Sequence, residues 1–314
     1  MLGLVRKRLV QLVIVLFLLS IFTFSLMKLA PGDPVMAILN ADEMMVTEAD
    51  QVKLRSELGF NQPLYIQYGQ WMLGLIKLDL GTSYMSGKPV WNEMMERLPI
   101  TVQLTVGALL VMVSISVPLG ILSARYPGKW PDQISRICAL IGASVPSFWF
   151  GLMLIYFFAF KLQILPSTGM GTFSQTILPS FALGFSLAAV YARLLRAGLL
   201  GSFSEDYIQA ARARGVKEWR ILWFHAFRAA LLPVITVFGL SMGSLLGGAV
   251  VIEILFSWPG LGSMAVDAIF SRDYPVIQGY VLLTGVFVVV MNLFVDLSYY
   301  LLDPRIKQGK EGTA

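Results

Sequence analysis

The chain has 314 residues, of which 56% are hydrophobic and 14% are charged, and its mean hydropathy is +0.71. Soluble domains carry about 25% charged residues, so this composition excludes a soluble enzyme, a disordered chain and a disulfide-stapled secreted domain. The single cysteine, Cys138, cannot form an internal disulfide, and the single histidine, His225, cannot hold a metal ion alone. We therefore predict no metal site in this chain.

Six stretches without acidic or basic side chains follow one another, and each has between 19 and 31 residues. A helix needs about 20 apolar residues to cross a bilayer, and lipid offers no partner to an unpaired backbone. The pattern predicts an all-α membrane protein with six transmembrane helices. They cover residues 9–30 (TM1), 100–124 (TM2), 137–160 (TM3), 180–199 (TM4), 231–256 (TM5) and 279–302 (TM6). The first stretch lacks a small-residue cleavage site, which indicates an uncleaved anchor.

The distribution of lysine and arginine predicts the orientation, because cytoplasmic loops of membrane proteins are enriched in both. Sixteen of the 24 lie in or beside one set of alternating connections, and eight lie in or beside the other. The richer, predicted cytoplasmic set is 1–8, 125–136, 200–230 and 303–314, and the predicted extracytoplasmic set is 31–99, 161–179 and 257–278. Both termini are therefore predicted to be cytoplasmic. The net charge of +5 follows mostly from this bias, so no nucleic-acid partner is predicted.

The long predicted extracytoplasmic loop has helix signals of its own. Thr47 and Asp50 have the spacing of a capping box, and an amphipathic run follows as far as Gly59. Aromatic residues then recur at three-residue steps, as is typical of a membrane interface, and they are Tyr65, Tyr68 and Trp71. Two interpretations stay open: a lid on the membrane surface, or a docking surface for a partner.

The third predicted cytoplasmic segment contains two short helix signals around a glycine. Ser202 and Glu205 have capping-box spacing and Gly215 suits a left-handed C-cap, so a helix of about three turns is predicted between them. A second helix is predicted to start near Lys217 and to run into Pro233, where TM5 begins. The segment is either a solvated loop that follows the positive-inside rule or a basic knob that a partner approaches closely.

The same segment carries a motif of eight residues, Asp206, Tyr207, Gln209, Ala210, Ala211, Arg212, Arg214 and Gly215, which is closed by Leu232 and Pro233. This motif resembles the EAA loop of ABC-importer permeases, in particular that of the peptide and nickel permease family. Five others follow the family's order: Gly32-Asp33-Pro34, Leu58-Gly59-Phe60 with Gln62-Pro63-Leu64, residues 256–262, residues 272–279, and Leu302-Asp303-Pro304-Arg305. Gln209 stands where the EAA consensus has Glu, which argues against an acidic contact there but not against coupling.

The resemblance implies a type I ABC-importer permease fold in a bacterial-type inner membrane. The implied partners are a second, homologous permease, two ATP-binding subunits, an extracytoplasmic substrate-binding protein and the lipid bilayer. The helix before Gly215 would fit a cleft in an ATP-binding subunit, so that ATP-driven closure rocks the transmembrane helices between inward-open and outward-open states. The chain itself would be no enzyme and would bind no cofactor, with ATP and magnesium on the partner subunits.

Candidates for the lining of a translocation pathway lie in TM3 and TM5. Pro146 is expected to break TM3 near its middle, between two serines, and a stripe of small residues with Gly239 and Gly243 runs along TM5. The candidates are Ser144, Ser147, Ser241, Ser244, Gly247, Gly248 and Glu253. Two interpretations of the stripe stay open: close packing of helices, or room for a large solute.

Two carboxylates lie near the ends of predicted spans, where they can reach water. Glu253 is expected to help shape an outer gate. Asp296 is expected to pair with Arg193 or Arg196 at the cytoplasmic end. A role of either carboxylate as a proton or cation ligand is the alternative.

Two motifs that resemble catalytic sites are rejected. Residues 81–89 nearly match a phosphate-binding loop, but five residues separate the glycines, Pro89 replaces the magnesium-binding hydroxyl, and the predicted location is external. Ser241 lies in a G-x-S-x-G pattern inside TM5, whereas His225 lies on the cytoplasmic side, so no catalytic triad is predicted.

The transported solute stays open between peptides and a nickel or other metal chelate; the family also carries glutathione. One His and one Cys cannot supply a ladder of soft metal ligands, so a metal is expected to pass wrapped in an organic chelator. The alternative function is an ATP-independent secondary transporter. An inverted repeat and ionisable groups at the midplane would be expected of it, and the sequence shows neither clearly.

Overall fold

The computed structural model describes residues 2–29, 33–39 and 47–302. The motif residues Gly32 and 303–305, and the predicted cytoplasmic tail 303–314, lie outside the described residues. Contacts divide the chain into two units, Met1–Ile100 with Pro259–Val289, and Thr101–Trp258 with Val290–Ala314. Each unit is described by itself below.

The described residues are almost entirely helical. In chain order the helices are α1 (Leu2–Leu29), α2 (Pro34–Ile38), α3 (Glu48–Glu57), α4 (Leu64–Ile76), α5 (Val90–Arg125), α6 (Trp130–Ser144), α7 (Ser147–Leu154), α8 (Phe173–Phe203), α9 (Asp206–Ala213), α10 (Glu218–Arg220), α11 (Phe227–Leu255), α12 (Leu261–Ser271) and α13 (Tyr274–Leu302). Two π-helical segments, Ile155–Lys161 and Ile221–Ala226, continue α7 and α10. The all-α prediction is confirmed for this part of the chain.

Within the described residues, five helical stretches are long and apolar enough to cross a membrane. A sixth crossing results if α6 and the α7 segment are counted as one span, which is bent by 106°. The bend lies at Pro146, where α6 ends at Ser144 and α7 begins at Ser147. Proline disfavours the α conformation of the residue before it, and Val145 is extended. The predicted break in TM3 is therefore confirmed.

The helix that contains TM4 starts earlier than the sequence predicts. We expected a Pro/Gly-rich loop up to Pro179 and a helix from about Ser180, but α8 begins at Phe173 and includes Pro179. The Thr172 backbone N–H donates to the Gln175 side-chain oxygen over 2.9 Å, so the helix is capped before the proline. The helix also ends later than TM4, at Phe203.

In the first unit, the helix signals of the long loop are confirmed. The Thr47 hydroxyl accepts a hydrogen bond from the Asp50 backbone N–H over 3.3 Å and so caps α3. Gly59, just after this helix, has a φ of +71°, the left-handed conformation that glycine adopts without strain.

Helix α4 packs against α1 through two of the three spaced aromatic residues. The rings of Tyr68 and Trp71 lie 5.3 and 6.3 Å from the Phe24 ring, centroid to centroid. The Tyr68 hydroxyl lies 2.9 Å from Ser20 Oγ. Tyr65 is 76% exposed. Of the three spaced aromatic residues, Tyr68 and Trp71 therefore pack against α1, and Tyr65 is exposed.

In the second unit, α8 packs against α6, α7 and α11. The approach to α11 is close at Gly198, where a Cβ would lie 3.0 Å from the Ala230 Cα. A side chain at this position would therefore push the two helices apart. This contact lies near the C-terminal end of α8 and the N-terminal end of α11, and α9 lies between these two helices in the chain.

Candidate functional site

Helix α9 is held on the second unit by an apolar anchor. Ile208 is fully buried, whereas its neighbours Tyr207 and Gln209 are exposed. The buried residues that form one cluster with it are Ala124, Leu195, Leu199, Ile221, Ala226 and Ala230. Burial of such a side chain contributes about 1.5–3 kcal/mol. One side chain therefore supplies much of the attachment of this short helix.

Gly215 ends α9 in the way the sequence predicts. Its φ is +77°, and its backbone N–H donates to the Arg212 carbonyl over 2.9 Å. The next residue, Val216, donates to the Ala211 carbonyl over 3.1 Å. These two bonds form a Schellman motif, which needs a residue in the left-handed region. A Cβ at Gly215 would meet no atom within 4 Å, so only the backbone conformation restricts this position.

The structure brings the eight predicted coupling residues together on α9 and its C-terminal turn, but their contacts differ. Ala211 packs against the apolar cluster. Arg212 Nε donates to Glu218 Oε1 over 2.8 Å, and its guanidinium lies 5.7 Å from the Phe203 ring centroid. Arg212 is itself exposed, and so are the remaining predicted residues, which are Asp206, Tyr207, Gln209, Ala210, Arg214 and Gly215. We call these six exposed residues the outer face of α9.

Two predictions about the flanks of α9 are wrong. Ser202 does not cap it, because α8 continues to Phe203 and the Ser202 hydroxyl donates to the Gly198 carbonyl over 2.8 Å. The N-cap is Glu205, and α9 has eight residues, about two turns. The second helix starts at Glu218, as predicted, but continues through a π-helical segment into α11, with Pro233 inside α11.

A buried carboxylate that the sequence analysis missed ties α6 to α8. Asp132 is fully buried and accepts hydrogen bonds from Arg196 over 2.6 and 2.9 Å. Arg136 and the Gly128 backbone N–H also donate to it, over 3.2 and 2.9 Å. The i,i+4 spacing of Asp132 and Arg136 was the available signal. The predicted pairing of Asp296 with Arg193 or Arg196 stays a prediction, and Asp132 is the partner found for Arg196.

The candidate pathway residues are spread over α6, α7 and α11. Ser144 is exposed, Ser147 and Ser241 are half-buried, and the side chain of Ser244 lies outside the described residues.

The glycines of the small-residue stripe on α11 have two kinds of surroundings in the structure. A Cβ at Gly239 would lie 2.9 Å from Val295, and one at Gly248 would lie 3.1 Å from Leu183. At Gly243 and Gly247 a Cβ would meet nothing within 4 Å. Both interpretations of the stripe therefore have glycines that fit them.

Glu253 is buried rather than in contact with water. Its exposed fraction is 0%, and Oε1 accepts a hydrogen bond from the Thr101 hydroxyl over 2.6 Å. The expectation of access to water failed because α5 covers this turn of α11 with Thr101. A role in an outer gate stays a prediction.

The segment that resembles a phosphate-binding loop surrounds a carboxylate of the protein itself. Asp273 is 2% exposed and accepts hydrogen bonds from the Ser83 hydroxyl over 2.5 Å and from the Tyr84 and Met85 backbone N–H groups over 3.1 and 3.3 Å. Burial, followed by the charge of Asp273, raises the pKa of Tyr84 to about 12. The donors of this loop are therefore engaged by an internal anion.

Among the residues that the structure describes, no three His, Cys, Asp or Glu side chains are grouped as metal ligands. The geometry instead presents an anchored, exposed helix between two long apolar helices.

Residues 116–308 match the family described as binding-protein-dependent transport system inner membrane component. Residues 1–105 match the N-terminal family of the same membrane components. The chain belongs to this family. It is an ABC-importer permease of the dipeptide and oligopeptide family and a multi-pass protein of the bacterial inner membrane, so the resemblance found in the motifs is confirmed.

Two relatives match this permease over nearly its whole length. The glutathione transport system permease protein GsiC of Escherichia coli K12 is 39% identical over 308 residues, which cover 98% of this chain and 99% of the relative. The oligopeptide transport system permease protein AppB of Bacillus subtilis 168 is 39% identical over 314 residues, which cover 96% and 98%.

The fold of this permease is similar to that of solved ABC transporters. A chain of the MetNI methionine ABC transporter in an inward-facing conformation matches with a TM-score of 0.56 and 19% identity, over 67% of this chain and 96% of that one. A chain of an amino acid ABC transporter crystallised with histidines matches with a TM-score of 0.52 and 15% identity, over 66% and 92%. These similarities establish the shared helical fold.

Proposed function

We propose that this permease pairs with a second, homologous permease, that two ATP-binding subunits drive the pair, and that an extracytoplasmic binding protein delivers the solute. The observation that carries the proposal is the outer face of α9, which is exposed although α9 is anchored by the buried Ile208. Because Ile208 and Ala211 hold α9 on the apolar cluster from one side, the outer face stays accessible to a partner. The family matches supply the class of partner.

The contacts around α9 support a mechanical role in coupling. Ile208 ties α9 to the cluster that holds Leu199 of α8 and Ala230 of α11. The bond between Asp132 and Arg196 ties the same helix α8 to α6. A displacement of α9 by closing ATP-binding subunits would therefore move three packed helices together. Rigid-body motion of this kind switches a transporter between inward-open and outward-open states.

Two glycines of α11, at which a Cβ would meet no atom within 4 Å, support the proposed pairing with a second permease and the proposed position of the pathway. Gly243 and Gly247 are exposed and lie one helical turn apart. A face without side chains allows either a second helix or a solute to approach closely. In a pair of permeases this face would lie at or beside the pathway, together with Ser241, Ser244 and Gly248.

For the solute we propose short peptides, glutathione among them, with a chelated metal as the second class. The relatives are named for glutathione and for oligopeptide transport. The chain has one His and one Cys, so a metal would cross only inside an organic chelator. We propose that this chain hydrolyses no ATP and that ATP and magnesium are bound by the partners.

The proposal includes six spans with both termini in the cytoplasm. It counts the bent pair α6 and α7 as one crossing. The excess of lysine and arginine in the segments that then share one side supports this orientation. It places α9 on the cytoplasmic side and the loop around Asp273 on the extracytoplasmic side.

Native mass spectrometry of the tagged chain, purified gently with the other products of its operon, tests the proposal. We expect one complex with two permeases, two ATP-binding subunits and a loaded binding protein, and the ligand mass separates a peptide from a metal chelate. A chain that purifies alone or as a homo-oligomer would overturn the proposal and favour the ATP-independent secondary transporter.

A further inference from the structure

A cavity of about 460 Å³ lies within the first unit, between the C-terminal part of α1, α4, the loop around Asp273 and the start of α13. Its lining includes Phe24, Lys28, Phe60, Gln67, Trp71 and Tyr274. Among the described residues of this lining, Lys28 is the one that carries a charge. An anion can therefore enter without meeting a like charge.

Aromatic rings hold the Lys28 ammonium in place. Its Nζ lies 4.6 Å from the Phe60 ring centroid, 5.6 Å from that of Phe24 and 5.8 Å from that of Tyr274. It donates one hydrogen bond, to Gln67 Oε1 over 2.6 Å. An ammonium group has three donors. Among the described residues, no carboxylate lies within 4.0 Å of this group as an ion-pair partner.

A second donor in the lining has no hydrogen-bond acceptor among the residues that the structure describes. The Trp71 indole Nε1 is buried and makes no hydrogen bond to any described residue. Buried indole N–H groups usually find a partner, because an unpaired buried donor destabilises the fold. The stacking of Trp71 on Phe24 fixes the orientation of the ring. The cavity therefore combines a fixed cation and an orphaned donor with apolar walls.

Three acidic groups near the cavity are already engaged. Asp273, behind the loop, accepts from Ser83 and two backbone N–H groups, Asp33 is paired with Arg55, and Asp79 accepts from the Gly81 backbone N–H over 2.9 Å. None of the three is an ion-pair partner of Lys28 among the described residues. The remaining polar lining consists of neutral amides and hydroxyls, which suit the peptide groups next to a carboxylate.

We infer that this cavity binds the C-terminal carboxylate of a short peptide, with Lys28 and the Trp71 N–H as donors and the aromatic walls against the last side chain. The inference rests on the proposed function for the class of solute. Because the described part of the lining holds no acidic residue, the peptide's amino terminus stays outside. The site should accept an acetylated amino terminus and reject an amidated carboxyl terminus.

The test is isothermal titration of the full-length chain, with whatever subunits accompany it but without binding protein, in phosphatidylcholine nanodiscs. The probes are trialanine, N-acetyl-trialanine and trialanine amide. We expect the first two to bind alike, and the amide to bind about tenfold or more weakly, because it lacks the charged hydrogen bond. Since the chain is titrated in whatever assembly it forms, failure of this site is distinguishable from failure of the proposed assembly.

Variants locate the binding to the cavity. Lys28→Met should weaken trialanine binding about tenfold or more, and Trp71→Phe, which keeps the ring, should weaken it about twofold to tenfold. The matched control is Lys77→Met, an exposed lysine at the end of α4. Thermal unfolding of each variant verifies its folding, and the probe series on the folded Trp71→Phe variant decides if Lys28→Met does not fold.

Three results would overturn the inference. Trialanine and its amide could bind equally, or trialanine could fail to bind at all. Trialanine binding could also be unchanged in both folded variants.

Two further results would assign the cavity to another ligand. In nanodiscs that contain phosphatidylglycerol, displacement of trialanine by this lipid would assign the cavity to a lipid phosphate instead. Binding of the delivery protein that depends on Lys28, without binding of free trialanine, would assign it to an acidic side chain of that protein.

Discussion

Helix α9 and the loop around Asp273 are both short, and contacts of opposite kinds hold them in place. The buried Ile208 anchors α9, and backbone bonds at Gly215 end it. The loop from Ser83 to Met85 is fixed by hydrogen bonds to the buried carboxylate of Asp273. The apolar anchor leaves the outer face of α9 accessible to a partner, whereas the polar anchor engages the donors of the loop. The outer face of α9 is therefore suited to bind a partner, whereas the loop around Asp273 is suited to keep one conformation.

The largest effect is expected from shortening the apolar anchor of α9. Ile208→Ala should destabilise the attachment of α9 by about 2–5 kcal/mol, and Ile208→Val by about 0.5–1.5 kcal/mol, because buried methyl groups are removed. Hydrogen exchange of the α9 amides should rise in that order, and transport should fall with it. Unchanged exchange in Ile208→Ala would show that α9 is held by something else.

Removal of the carboxylate that holds the loop around Asp273 should reduce stability by nearly as much. Asp273→Ala leaves the Ser83 hydroxyl and two backbone N–H groups without their acceptor, at a cost of about 2–4 kcal/mol. Thermal unfolding of the purified permease should show the loss. The matched control is Asp267→Ala, an exposed acid on α12, which should leave stability unchanged. Equal stability of the two variants would contradict the role of Asp273.

Backbone strain at the end of α9 should have an intermediate effect. A β-branched residue at a φ of +77° is disfavoured by about 1–3 kcal/mol, so Gly215→Val should uncouple transport while membrane insertion stays intact. Gly215→Asn is the matched control, because asparagine tolerates the left-handed region. Uptake by proteoliposomes checks both. Normal uptake by Gly215→Val would reject the coupling role.

The smallest effect is expected on the outer face itself. Gln209→Glu restores the consensus residue at an exposed position, so stability should change by no more than about 0.5 kcal/mol. Uptake should stay within about twofold of the parent. A large loss of uptake would mean that the partner presents an acidic group at this point.

Local signals in the sequence predicted the local structure of both regions. Thr47, Pro146 and Gly215 act within a few residues of themselves, and the structure has the predicted cap, break and turn. Long-range partners were not predictable. Asp132 meets Arg196 64 residues later, and Asp273 meets Ser83 across 190 residues.

The motifs located the outer face of α9, but not the residue that anchors it. Ile208 lies between exposed neighbours in a segment where apolar periodicity is too short to define a buried face. Its burial depends on residues of α5, α8 and α11, which only the tertiary fold brings together. The same holds for Glu253, whose cover comes from Thr101.

Photocrosslinking in cells tests most directly that the outer face of α9 binds an ATP-binding subunit. A photoreactive amino acid at Ala210 should crosslink to an ATP-binding subunit, and one at Glu57, exposed on α3, should not. Crosslinks from Ala210 only to lipid, or only to another copy of this chain, would contradict the account.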